Sequence, residues 1–118
     1  MAKNFIQEGK RIEITASGAA ISSGDLVLVN DLAVVALVDI ADGDSGNAAP
    51  EGVWELSGKA AEAVNQGDKL YWDADGDPLV GTAGTGCITA TPTDNQYIGI
   101  AWAAAAADVG TVPTKLNA

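Results

Sequence analysis

Asp25-Leu26-Val27-Leu28-Val29-Asn30-Asp31-Leu32-Ala33-Val34-Val35-Ala36-Leu37-Val38 decides the fold. Two short runs rich in Val, Leu and Ala flank an Asn-Asp step. Branched apolar side chains suit a pleated surface, and Asn and Asp tolerate the backbone angles of a tight turn. The stretch reads as a β-hairpin, with strands over 25–29 and 33–38. Upstream, the turn Ser22-Ser23-Gly24 separates it from Arg11-Ile12-Glu13-Ile14-Thr15, where Ile12 and Ile14 point one way and the charged residues the other. An N-terminal arm, residues 1–10, precedes a β body over 11–118.

Downstream, residues 41–50 are polar and rich in Gly and Asp, and they read as an exposed, mobile loop closed by Pro50. Gly52-Val53-Trp54-Glu55-Leu56 is the next strand. The run 59–65, Lys-Ala-Ala-Glu-Ala-Val-Asn, favours helix by propensity but is too short to stand alone, so one or two helical turns are expected there. Asp68-Lys69-Leu70-Tyr71-Trp72 is a strand, and the Asp-Gly step in Asp73-Ala74-Asp75-Gly76-Asp77 predicts a hairpin returning through Pro78-Leu79-Val80. Gly81 to Gly86 form a bend before Cys87-Ile88-Thr89-Ala90, and Thr91 to Asn95 form a turn before Tyr97 to Trp102. After Ala103–Ala107, a final strand is expected near 109–116. Ser23-Gly24-Asp25-Leu26-Val27 echoes Gln66-Gly67-Asp68-Lys69-Leu70, and the simplest reading is that Gly-Asp turns well into a strand. The expected fold is all-β: a small antiparallel barrel or jelly-roll-like sandwich in one domain.

The totals agree with a single domain of 118 residues, and they exclude several functions. Sixteen carboxylates against six basic groups give a net charge of −10, which repels nucleic acid and anionic lipid. The longest apolar run, Ala101 to Ala107, is far short of the roughly 20 residues of a membrane span. No apolar stretch follows Met1, so the chain is expected to act where it is made. Cys87 has no partner in the chain and reads as a small buried hydrophobe.

There is no histidine, which removes the commonest general base and the commonest zinc ligand together. Asp73-Ala-Asp75-Gly-Asp77 resembles a calcium loop, but an EF-hand needs Gly at its sixth position and Glu at its twelfth. Here Pro78 and Gly84 stand there. Gly81-x-x-Gly84-x-Gly86 lacks both the Lys and the following helix of a phosphate loop. No catalytic, cofactor or metal site is expected, and the reading is of an adhesive protein. A small ligand-binding barrel, for a carbohydrate or a host-surface molecule, is the alternative.

The opening Met-Ala-Lys-Asn-Phe-Ile-Gln-Glu-Gly, then Arg-Ile-Glu-Ile-Thr-Ala and Ser-Gly-Asp-Leu-Val-Leu-Val, resembles the start of phage and prophage capsid cement, or head-decoration, proteins. Glu51-Gly-Val-Trp-Glu-Leu56, Gln66-Gly-Asp68 before Leu70-Tyr-Trp-Asp73, Tyr97-Ile-Gly-Ile-Ala101 and the terminal Gly-Thr-Val to Leu-Asn follow in the family's order. The resemblance implies a β body made in the bacterial host cytoplasm and carried on the capsid exterior. Its partner would be the major capsid protein, and it would act as a homo-oligomer, a dimer or a trimer, with the trimer slightly favoured. Candidate contact residues are Lys3, Asn4, Phe5, Ile6, Lys10 and Arg11 of the arm, which hold half of the basic groups beside an apolar pair, and Trp54, Trp72 and Trp102. Pro113 departs from the family's regular last strand, so that strand is expected at an edge or interrupted.

Overall fold

A computed structural model describes Gln7 and residues 9–118. Among the described residues nine strands form two antiparallel sheets: β1 Ile12–Thr15, β2 Leu26–Val29, β3 Leu32–Ala36, β4 Ser45–Ala49, β5 Val53–Ser57, β6 Lys69–Asp73, β7 Cys87–Thr89, β8 Gln96–Ala101 and β9 Thr111–Leu116. The first sheet has the order β1-β4-β3-β2 and the second β5-β9-β8-β6-β7. The all-β expectation holds, and the β2–β3 hairpin turns through Asn30, at φ +53°, and Asp31 as the sequence indicates.

Replacing β1, β2, β3 and β4 by β5, β6, β8 and β9 turns the first strand order into the second, which then carries β7 as an extra strand. The registers match as well. Ile12 faces Ala48 as Trp54 faces Thr114, Leu26 faces Val35 as Lys69 faces Ile100, and Val35 faces Ala49 as Ile100 faces Lys115. The two Gly-Asp turns coincide in detail. Asp25 Oδ2 accepts from Ser22 N–H at 2.9 Å and Asp68 Oδ2 from Asn65 N–H at 2.8 Å. Gly24 and Gly67, at φ +90° and +89°, donate to Ala36 and Ala101 carbonyls at 2.7 and 2.8 Å. Glycine takes this positive φ without the penalty a Cβ would bring. The echo is thus more than a shared turn: the chain is one four-strand unit built twice.

The core has two parts. In β3, Ala33 and Val35 face the second sheet and join Leu56, Leu70, Val112 and Leu116, while Val34 faces the other way into a cluster with Ile14, Ile40 and Ala48. A strand buried on both faces must be apolar throughout, as β3 is.

Several expectations give way. Residues 45–49 are not a mobile loop but β4, held between β1 and β3 with Ala48 and Ala49 buried. No helical turn occurs at 59–65, nor any helix among the described residues. Instead Lys59 N–H donates to the Gly110 carbonyl at 3.1 Å and Ala60 N–H to Ile88 at 2.9 Å, so tertiary bonds override local propensity. The strand that returns beside β6 is β7, not Pro78–Val80, where Pro78 makes only an isolated bridge to Ala60. β9 lies inside its sheet, not at an edge. Pro113 is tolerated because its carbonyl, accepting from Trp102 N–H at 2.8 Å, turns toward the end of β8, and its ring nitrogen faces the same side, where the β8 ladder has stopped at Ala101.

Candidate functional site

Lys3, Asn4, Phe5 and Ile6 lie outside the described residues, as does most of the expected arm. Where the description begins, exposed Lys10 and Arg11 enter β1 and meet Trp54. Together with Leu37, Ala49 and Glu51 they line a groove of about 290 Å³. Trp54 is half-buried, packs on the core, and donates from Nε1 to the Glu51 carbonyl at 3.0 Å. Trp72 is likewise half-buried against the core. Gly86, at φ +110°, leaves no room for a side chain beside it, since a Cβ would stand 2.3 Å from the indole.

Trp102 differs, with half of its surface (50%) in solvent and Lys115 Nζ 5.8 Å above its ring. Such a cation over an exposed indole contributes about 0.5–1 kcal/mol and holds the ring in place. Lys115 belongs to a row that the sequence did not reveal. Val53 faces Lys115, Lys115 faces Ile100, and Ile100 faces Lys69, so one line of side chains crosses β5, β9, β8 and β6. Partners opposite one another share a face. Three members are exposed and Ile100 is half-buried, so the outer face of this sheet presents Trp, Val and Ile beside two cations, with the exposed Glu55 two residues from Val53 on the same face. A half-exposed Trp beside apolar side chains is the kind of residue enriched at protein-binding hot spots.

The groups that looked chemical do not assemble. Cys87 is buried and free, and burial pushes its thiol up, with Asp73 and Glu62 adding to the effect, so it stays a protonated, inert thiol at neutral pH. The Asp73 carboxyl is raised by a hydrogen bond to the Asp75 side chain, by partial desolvation and by the charges of Asp75 and Asp77. No group of three or more candidate ligands able to hold a metal ion occurs among the described residues. No helix there is long and apolar enough to cross a membrane.

A comparison with known families matches residues 6–116 of this chain to the family described as phage cement protein. The chain belongs to the phage cement protein family. Searches of curated proteins and of solved structures found no match. Membership gives this cement protein a structural role in the phage particle, in association with the capsid.

Proposed function

We propose that this cement protein binds the outer surface of the phage head and stabilises contacts between major capsid subunits, with no catalytic step. The match of the family over nearly the whole chain carries the reading. The exposed Trp102–Lys115 face and the basic entry of the arm at Lys10 and Arg11 supply surfaces of suitable chemistry. A protein that binds only assembled shells adds its binding free energy to the shell and none to isolated subunits, and many copies on one lattice multiply the effect. In this reading the arm residues Lys3, Asn4, Phe5 and Ile6 lie along the capsid surface, Trp102 is the central anchor, and Trp54 and Trp72 support the contact from beneath. The protein works as a homo-oligomer on the lattice, a trimer before a dimer.

The test mixes purified protein with expanded, undecorated shells and sediments them. Stoichiometric co-sedimentation near physiological salt is expected, together with raised thermal stability of the shells. Absence of co-sedimentation sinks the proposal. Deleting residues 2–11 should abolish binding while the β body stays folded, and unchanged binding would remove the arm from the contact.

A further inference from the structure

The doubled architecture is unequal at one place. In the second sheet the outer edge of β6 is occupied by β7, with Tyr71 facing Thr89, Trp72 facing Ile88 and Asp73 facing Cys87. The counterpart of β6 in the first sheet is β2, and no described strand pairs with its outer edge. The Asp25 carbonyl accepts from Ala36 N–H at 3.0 Å, so strand alternation turns Val27 and Val29 toward β3 and the N–H and C=O of Leu26 and Leu28 outward. Ala33, which faces Leu28, agrees: both of its backbone groups turn away from β2, to the Asn117 side chain. The edge Leu26-Val27-Leu28-Val29 has no charge, proline or bulge, the features that ordinarily protect an edge from pairing.

A groove of about 310 Å³ runs beside this edge, lined by Ile21, Asp25, Leu26, Val27, Leu28 and Trp72. It adjoins a second of about 210 Å³ that shares Asp25, Leu26 and Trp72. Backbone donors and acceptors, an apolar trough and an aromatic floor are what an added strand requires.

We propose that the outer edge of β2 accepts an extended segment of the capsid subunit, which pairs antiparallel with Leu26 to Val29 as β7 pairs with β6. The inference rests on the capsid-binding reading and names the element of the partner that is held. The internal example sets the chemistry of the occupant: a short uncharged segment with a branched apolar residue, like Cys87-Ile88-Thr89. Asp25 and Asp31 stand at the two ends of β2, so Lys or Arg flanking that segment would complement them. The same two carboxylates disfavour a second copy at this edge, since antiparallel pairing of two β2 strands would bring Asp25 of one near Asp31 of the other.

Amide hydrogen exchange on the full protein tests this, free and bound to undecorated shells. Leu26 and Leu28 amides should exchange rapidly when free and at least tenfold more slowly on shells, with smaller changes at Val27 and Val29, which already pair with β3. The variant Leu28→Pro removes one outward N–H and no β3 bond. Because Leu28 also packs on the core, Leu28→Ala serves as the control for lost packing: Leu28→Pro should weaken shell binding at least tenfold beyond Leu28→Ala, and equal binding by the two variants overturns the proposal. Unchanged exchange at Leu26 and Leu28 in protein that is bound to shells overturns the strand-acceptor proposal and leaves capsid binding standing. Failure of the parent protein to bind shells overturns the function itself. Protection that appears on concentrating the free protein assigns the edge to a second copy and also overturns the proposal.

Discussion

The substitution Asn117→Asp isolates the joint between the two units. Asn117 Nδ2 donates to the Ala33 carbonyl at 2.7 Å and to the Pro50 carbonyl at 2.6 Å, and Oδ1 accepts from Ala33 N–H at 3.1 Å. One side-chain amide thus takes the place of a neighbouring strand for Ala33, a residue with no exposed surface. Asn117 sits at φ +54°, and Asp tolerates that conformation nearly as well as Asn, so the exchange tests the amide rather than the backbone. A carboxylate cannot donate. Two hydrogen bonds of about 1 kcal/mol each are lost, and an anionic oxygen is set against two carbonyl oxygens, leaving a buried acceptor unpaired at a further 1–3 kcal/mol or so. The sum is about 3–5 kcal/mol, or a fall of roughly 15 °C in thermal midpoint for a domain of this size. Thermal unfolding followed by tryptophan fluorescence at pH 7 reads it directly. The loss should shrink at acid pH, where protonation of the introduced carboxylate restores one donor. A midpoint within about 2 °C of the parent at pH 7 would refute the clip as the joint.

Trp102→Ala should weaken shell binding by about 2 kcal/mol, roughly thirtyfold, and lower the thermal midpoint by less than about 4 °C, measured by sedimentation and calorimetry. Equal binding would remove Trp102 from the contact. Lys59 is wholly buried, and its Nζ donates to the Ala60 and Glu62 carbonyls at 2.9 and 2.5 Å, so Lys59→Ala should leave a void and unpaired acceptors. A loss of about 3–5 kcal/mol is expected from urea unfolding, and an unmoved midpoint would contradict it. Asp73 has its folded-state pKa raised, so the folded protein binds that proton more tightly than the unfolded chain. Its ionised form is therefore a small handicap above the folded pKa, relieved as pH falls through it. Asp73→Asn should raise the midpoint slightly at pH 7, with the gain vanishing in the acid range; a gain constant with pH would be inconsistent with the carboxylate as its source.

Strands were legible where the period of two was strong. Ile12 and Ile14, the 25–38 hairpin and Tyr97 to Ala101 all became strands because alternating or doubly buried positions must be apolar. β4 was hidden because Ser45-Gly46-Asn47-Ala48-Ala49 has little strand propensity. Its small residues answer to packing instead, since a Cβ on Gly46 would lie 2.7 Å from Ile40 and 3.0 Å from Val38. Residues 59–65 carried a helical composition that long-range backbone bonds overrule, Ile88 N–H to Gly58 and Leu79 N–H to Lys59 among them. Of the contact candidates, Trp102 could be named from the sequence, but Lys69, Lys115, Val53 and Ile100 could not. Those four lie on separate strands and meet only through register, which no local pattern encodes.

The duplication also explains why the Trp102 face is left uncovered by the rest of the described chain. Trp102 N–H donates to Pro113 as Leu37 N–H donates to Asn47, and the registers equate Lys69, Ile100 and Lys115 with Leu26, Val35 and Ala49. In the first unit this face is closed within the chain: Leu26 and Val35 pack into the core of the second sheet, and Ala49 is buried. In the second unit the same face has no further unit to cover it. Had it merely needed to stay dissolved, acidic residues like those of the rest of the chain would serve. Instead it keeps Ile at the Val35 position, places Trp where the first unit has Leu37, and substitutes Lys for Leu26 and Ala49. Apolar content is retained at two positions and positive charge added at two, a composition that accords with the contact proposed above for this face.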